Sequence, residues 1–211
     1  MQIGQNKKRI QTNELCYSSG MMSQSFWFIE FKKLIQLIAE ERSEDDIRRE
    51  CIENNLFGAV NAYREKRIYG YLINRAGMLD ERMIRIFVRG DISTQKLTNL
   101  IAIVKGDRLF FEFINEVYRE KIILGQREIS DADFNAFFRG KGSQSDVVEQ
   151  WSDGTKKRLK GVYLSCMTEA GLLQAEKRKR LITVPLVDED LAACLEDGGD
   201  RSVLIAITGR A

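Results

Sequence analysis

Residues Ser143 to Val187 read SQSDVVEQ-WSDG-TKKRLKGVYLSCMTEAGLL-QAEKRKRLITVPLV, and their pattern is the most informative about the fold. In that order it predicts a short helix, a tight turn, a second helix that begins on three cations, and a two-stranded ribbon with a basic tip. This is the layout of a winged helix-turn-helix, whose second helix docks on duplex nucleic acid. Helical patterning fills most of the remaining chain. We therefore predict a mainly α fold: a helical bundle with helix-turn-helix units and a C-terminal winged helix carrying a small antiparallel β-ribbon.

The second helix of this stretch, residues 155–173, has a predicted core face and a predicted outward face. With about 100° between successive residues, the core face is expected to hold Leu159, Val162, Tyr163, Cys166, Met167 and Ala170. The opposite side holds Lys157, Gly161, Leu164, Ser165 and Thr168, flanked by Arg158 and Lys160. A glycine inside a helix costs about 1 kcal/mol relative to alanine. Gly161 therefore suggests close approach to another backbone or to a groove wall.

The charge of this stretch differs from that of the whole chain. Between Thr155 and Arg180 there are eight cations and two acids, a local charge of +6, whereas the chain of 211 residues has a net charge of +2. Cations in the first turn of a helix are unfavourable by about 0.3–1 kcal/mol each, a penalty that a bound phosphate would offset. We predict that the DNA contacts are Lys156, Lys157, Arg158, Lys160, Ser165, Lys177, Arg178, Lys179 and Arg180.

Other interpretations of these residues stay open. A basic run is often only a solvated face, and many winged helices bind proteins rather than DNA. Trp151 is better explained as the core anchor of the short helix than as a residue that stacks on a base. Pro185 is expected to end the second strand of the ribbon, because proline cannot donate to a β-ladder.

A weaker version of the basic helix occurs in the first half of the chain. The run Lys66-Arg67-Ile68-Tyr69-Gly70 resembles Lys157-Arg158-Leu159-Lys160-Gly161. The helix expected over residues 61–76, together with the one before it, could form a second helix-turn-helix, so Lys66, Arg67 and Asn74 are further candidate DNA contacts. Chance similarity explains the resemblance almost as well.

Capping residues divide the rest of the chain into further elements. Helices are expected to start near Ser25, Ser43, Asn61, Asp80, Asp91 or Ser93, Asp107, Ser130, Ser143 or Ser145, and Asp188, and a strand is expected over residues 202–208. We predict a disordered leader at 1–22, an N-terminal helical domain with a possible helix-turn-helix at 23–128, and a C-terminal winged-helix-like domain at 129–211.

The composition argues against catalysis, metal binding and membrane insertion. The chain contains no histidine, and its four cysteines are far apart, so no zinc-type spacing or histidine-dependent triad is possible. No phosphate-binding loop or dinucleotide fingerprint is present, and no apolar run approaches the roughly 18–20 residues that span a bilayer. We expect a cytoplasmic protein that is not an enzyme and has no metal, cofactor, small-molecule substrate or membrane partner.

Several short motifs follow one another across roughly residues 23–209. They are the helix at 31–37, Glu53-Asn54-Asn55, Phe111-Glu112-Phe113, Glu120-Lys121, Trp151-Ser152 followed by Thr155, Glu169-Ala170-Gly171-Leu172-Leu173, and Pro185-Leu186. In their order and spacing these motifs resemble the BrxA family of bacterial BREX phage-exclusion systems.

The resemblance implies a largely helical accessory protein of phage defence that binds double-stranded DNA without a catalytic site and works beside other BREX subunits. The outward face of the basic helix offers no asparagine or glutamine to read bases, so low sequence specificity is expected. A protein adapter within the defence complex and an autoregulatory transcription factor are the alternatives.

Overall fold

The computed structural model describes residue 12, residues 15–177 and residues 179–210, so Arg178, one of the predicted DNA contacts, lies outside the described residues. The fold is mainly helical with one small antiparallel sheet, as predicted. After a 3₁₀ turn at Gly20–Ser23, the helices of the first half are α1 (Phe28–Ala39), α2 (Glu44–Ile52), α3 (Ala62–Ala76), α4 (Glu81–Arg89), α5 (Ile92–Gly106), α6 (Arg108–Phe113) and α7 (Arg119–Ile123). The second half contains α8 (Asp131–Gly142), α9 (Asp146–Glu149), α10 (Asp153–Glu169), β1 (Leu173–Glu176), β2 (Lys179–Ile182), α11 (Glu189–Asp197) and α12 (Arg201–Thr208).

Short polar side chains set the start of most helices. In each case the side-chain oxygen accepts a hydrogen bond from the backbone N–H three residues later, which satisfies a donor that the helix leaves unpaired. These caps are Ser43, Asn61, Asp80, Asp91, Asp107, Ser130, Ser152 and Asp188. The helix starts that the sequence predicted at seven of these residues are confirmed, Ser152 being the addition.

One hydrophobic core extends through both halves of the chain. Helix α5 is buried along residues 97–104 and packs against α1, α3, α4, α6, α10 and α12. The Phe110 ring stacks on Tyr163 of α10, and Phe113 stacks on Phe134 of α8, both with 4.4 Å between ring centroids. The predicted division at 128/129 therefore crosses a continuous core, and the domain boundaries stay a prediction.

The last element is a helix, so the strand predicted over residues 202–208 is wrong. Val203, Leu204, Ala206 and Ile207 are buried, and this spacing turns one helical face toward α11, α5 and the π-helical turn Ile114–Tyr118. Tertiary burial of this face outweighs the β preference of the branched residues.

The β-ribbon has a third, very short partner. In the ribbon, Leu173 of β1 is opposite Ile182 of β2 in antiparallel register. Glu128 forms an isolated antiparallel bridge with Leu181, and the Ile129 N–H donates to the Arg180 carbonyl oxygen at 3.0 Å. The chain therefore runs from a strand-like segment through α8, α9 and α10 into the ribbon.

Part of the predicted leader packs on the protein. Met21 is buried in the core, and the Tyr17 hydroxyl donates to Oε2 of Glu112 at 2.8 Å. None of the helices in the described residues is long and apolar enough to cross a membrane.

Candidate nucleic-acid interface

The predicted helix, tight turn and basic helix are present, but α10 begins earlier than expected. Three residues, 150–152, separate α9 from α10, and the Ser152 side chain accepts the Thr155 N–H. Asp153 then occupies the first turn, where an acid is favourable. The Ser152 cap makes Lys156 the fourth residue of the helix, at the end of the first turn. The expectation that Lys157 and Arg158 also lie in the first turn is wrong, because this cap shifts them into the second turn.

The two predicted faces of α10 are confirmed. Leu159, Tyr163, Cys166 and Met167 are buried. On the other side Lys157, Arg158, Gly161, Ser165 and Thr168 are exposed, whereas Lys156, Lys160 and Leu164 are half-buried. A Cβ atom built on Gly161 would meet nothing within 4 Å. The close approach that Gly161 suggested is therefore not to any other residue of the described parts of the chain, which leave the space beside this glycine open.

Asp131 forms ion pairs with two of the residues predicted to contact DNA. Its carboxylate accepts from Nζ of Lys160 at 2.9 Å and from Nη1 of Arg180 at 2.7 Å. These two cations hold the pKa of Asp131 below its ordinary value. Asp131 lies at the start of α8, 29 residues from Lys160 and 49 from Arg180, so the sequence alone could not show that it joins α10 to the ribbon.

The ribbon is less basic at its tip than predicted. Lys179 and Arg180 lie in β2, not at the tip, and Lys179 pairs with Glu128 at 3.7 Å. Lys177 occupies the tip with a left-handed backbone, φ 54°. Within the described residues no carboxylate lies within 4 Å of Lys156, Lys157, Arg158 or Lys177. These four cations of α10 and the ribbon therefore remain available to an anionic ligand.

An N-terminal strap, residues 20–26, runs beside the outward face of α10. A cavity of about 230 Å³ separates them, lined by Gln24 and Ser25 on one side and by Arg158, Gly161 and Ser165 on the other. No sequence motif placed this segment at the site. The signal that could have found it is Met21, an apolar residue in a polar stretch.

Two buried polar side chains fix the strap. Nη1 of Arg75 donates to the Phe26 carbonyl oxygen at 2.7 Å and Nη2 donates to that of Ser25 at 2.9 Å. Nδ2 of Asn99 donates to the same Phe26 oxygen at 2.9 Å. Burial lowers the pKa of Arg75 to about 10, so the guanidinium is still charged at neutral pH. The strap is thus a fixed wall of the α10 surface.

The second group of predicted contacts lies on α3. Lys66, Arg67 and Asn74 are all exposed there. Nine residues, 53–61, separate α2 from α3, more than the three or four of a helix-turn-helix turn. Glu65 organises this connection from inside, since its buried carboxylate accepts the N–H groups of Phe57 at 2.8 Å and Ala59 at 3.1 Å.

A larger cavity, about 370 Å³, lies between α7 and α8. Its charged lining is paired within the protein: Nζ of Lys141 bonds to Glu112 at 2.7 Å and to Glu116 at 2.6 Å, and Lys121 pairs with Asp133 at 2.9 Å. We assign no ligand to it. The part of the chain that the structure describes contains no group of three His, Cys, Asp or Glu residues placed to hold a metal ion.

These features define a class of mainly helical proteins in which a short helix, a tight turn and a basic helix lead into a small antiparallel ribbon. The sequence profile of the BrxA family matches residues 16–199. The BREX protein BrxA of Bacillus cereus (strain H3081.97) is 37% identical over 196 residues, which cover 93% of this chain and 98% of that protein. The chain therefore belongs to the BrxA family, as the sequence motifs indicated.

The fold also occurs in a protein solved by crystallography. An uncharacterized protein from Magnetospirillum magneticum matches with a TM-score of 0.77 and 18% sequence identity, over 92% of this chain and 99% of that chain. This likeness concerns the fold alone.

Proposed function

We propose that this protein is a non-enzymatic accessory protein of a BREX phage-defence system that binds double-stranded DNA with low sequence specificity. Membership in the BrxA family supports the defence role and favours other BREX subunits as partners. The observation that carries the DNA proposal is the N-terminal part of α10, where Lys156, Lys157 and Arg158 have no carboxylate partner among the described residues.

The order of elements supports a winged-helix mode of docking. The strand-like segment at 127–129, then α8, α9, α10 and the ribbon follow one another, and the segment pairs with β2. In this mode α10 enters the major groove and the ribbon contacts the flanking backbone or minor groove. Lys177 at the ribbon tip would then reach phosphates, as would Lys157 and Arg158 at the groove edge.

Low specificity follows from the chemistry of the α10 face. Base pairs are read mainly by arginine, asparagine and glutamine side chains that make two hydrogen bonds to one base. Among the exposed residues of α10, only Arg158 has such a group, and Ser165 and Thr168 offer single hydroxyls. Affinity would then come mostly from contacts with phosphates, and it should fall steeply as the salt concentration rises. A plot of the logarithm of the association constant against the logarithm of the salt concentration should have a slope, called the salt slope below, of about −0.9 for each phosphate contact.

The test replaces the free cations of α10. The triple variant Lys156→Glu, Lys157→Glu, Arg158→Glu is compared with a control of equal charge change on other helices and loops, Arg42→Glu, Arg48→Glu, Arg89→Glu, all three exposed. Fluorescence anisotropy with a random and a promoter-derived 24-base-pair duplex, at two salt concentrations, gives the affinity. We expect at least a 30-fold loss in the α10 variant and less than a threefold change in the control.

Equal affinity of the α10 variant and the wild-type protein would contradict DNA docking by α10. If the wild-type protein bound neither duplex, the adapter function would be favoured instead. Binding confined to the promoter duplex would favour an autoregulatory transcription factor.

A further inference from the structure

We infer that the DNA-binding surface does not end at α10 but continues across the strap onto the Tyr63–Asn74 face of α3, which contacts the phosphate backbone of the same duplex. This inference rests on the proposed function, because it extends the DNA site assigned to α10. The α3 residues concerned are Tyr63, Lys66, Arg67 and Asn74, which we call the α3 face.

The surface between the two helices is continuous. Arg158 and Ser165 of α10 line one cavity with Ser25 and Phe26 of the strap. The next residue along the chain, Trp27, stacks on Tyr71 of α3 with 5.9 Å between ring centroids. The strap thus borders α10 across this cavity and contacts α3 through the Trp27–Tyr71 stack, so a rigid duplex lying on α10 can extend over the strap toward α3.

A row of aromatic and basic side chains continues along α3. The Arg67 guanidinium hydrogen-bonds to the Tyr71 side chain, which raises the pKa of Arg67. It also lies 5.9 Å from the centroid of the Tyr63 ring, and Tyr63 is 73% exposed. These contacts hold a charged, planar donor at the surface, and such a group suits a phosphate oxygen.

The α3 face is also kept free of negative charge. Glu65 points inward and holds the connection before α3. Glu44 and Arg48 of α2 lie near Tyr69. Tyr69 is two positions from Arg67 and so lies on the opposite side of α3 from it, whereas Lys66, three positions away, is on the same side as Tyr69. Among the described residues no carboxylate pairs with Lys66 or Arg67 within 4 Å. An anionic partner therefore meets no competing acid beside Arg67.

The length of this row of side chains predicts how many additional base pairs it can contact. Tyr63 and Tyr71 are about 12 Å apart along the helix at 1.5 Å per residue. This is the length of about three to four base pairs at 3.4 Å each. The wild-type protein should therefore need a duplex about three to four base pairs longer to reach full affinity than a variant that lacks the α3 cations.

The experiment measures affinity for random duplexes of 10, 14, 18 and 24 base pairs by anisotropy. The variant Lys66→Glu, Arg67→Glu is compared with Arg42→Glu, Arg48→Glu, which makes the same charge change on α2 and on the loop before it. Far-ultraviolet circular dichroism and thermal melting verify folding of both. We expect the α3 variant to bind the 24-base-pair duplex at least fivefold more weakly than the wild-type protein and to bind the 10-base-pair duplex with the same affinity. Its salt slope on the 24-base-pair duplex should be less negative by about two.

Equal loss at every duplex length, or equal loss in the control variant, would overturn the inference, because net charge alone would then explain the effect. An α3 variant with wild-type affinity at all lengths would also overturn it, while the α10 function would stand as long as the α10 variant lost binding. If the wild-type protein bound no duplex, the proposed function would fail, and the inference with it.

Discussion

At the scale of single residues, Asp131 controls how much positive charge the surface offers. Its carboxylate pairs with Lys160 and Arg180 and adds a negative charge beside them. The variant Asp131→Asn removes this negative charge and frees both cations. We therefore expect DNA binding to become severalfold tighter and the salt slope to become more negative by about one to two. Asp45→Asn, an exposed acid in the first turn of α2, is the control. Weaker binding by Asp131→Asn would show that the ion pairs are needed to position Lys160 and Arg180 for docking.

Asp107 links stability to pH. Burial raises its pKa to about 6, against about 3.9 in an unfolded chain. The folded protein therefore carries a poorly hydrated carboxylate above pH 6, a cost of about 3 kcal/mol that disappears as the pH falls below 4, where both states are protonated. Because Asn can still accept the Phe110 N–H, Asp107→Asn should stabilise the protein by about 1–3 kcal/mol at pH 7.5 and by almost nothing at pH 4.

Urea unfolding of the wild-type protein and the variant at pH 7.5 and pH 4 gives the free energy of unfolding of each. The other carboxylates are the same in both proteins, so their pH dependence drops out of the difference between variant and wild type. A variant that is less stable at pH 7.5 would contradict the proposed cost of ionising Asp107.

At the scale of elements, the start of α10 depends on one hydroxyl. The Ser152 Oγ accepts the Thr155 N–H at 3.2 Å and so fixes where the basic helix begins. Ser152→Ala should lower the free energy of unfolding by about 1 kcal/mol. Ser165→Ala, on the exposed side of the same helix, should change it by less than about 0.5 kcal/mol. Chemical denaturation measures both values, and equal effects would mean that the cap does not hold the helix start.

An element can be predicted from the sequence when the interactions that form it lie within a few residues of one another. The cap at Ser43 is predictable because a serine before a helical pattern acts on a backbone group only three residues away. The α12 helix was missed because Val203, Ile205 and Ile207 favour a strand locally, and only burial against α11 and α5 decides otherwise. The left-handed Gly209, φ 70°, is a helix C-terminal signal that could have corrected the prediction.

The same reasoning applies to the candidate site. The basic face of α10 is visible in the sequence, since its periodicity separates Lys157 from Leu159. The role of Asp131 and that of the strap depend on contacts between residues far apart in the chain. No local pattern encodes which acid neutralises Lys160 or which segment lies beside Gly161.

At the scale of the whole molecule, contacts that bind one half of the chain to the other favour a single folding unit. Nζ of Lys105 pairs with Asp200 at 2.6 Å, and Arg82 pairs with Asp197 at 2.8 Å. Together with the continuous core, they place α11 and α12 against α4 and α5. The sequence-based division into two domains at residue 128 predicts instead that the halves unfold separately.

The two tryptophans can decide between these possibilities, because Trp27 belongs to the first half and Trp151 to the second. Trp27→Phe and Trp151→Phe each leave one fluorescent probe. In each background, Leu34→Ala truncates a fully buried side chain of α1, at a cost of about 2–5 kcal/mol. If the chain unfolds as one unit, both probes will report the same urea midpoint, and Leu34→Ala will lower both by about 1–2 M. A midpoint at Trp151 that does not respond to Leu34→Ala would show that the second half unfolds independently, as the two-domain prediction requires.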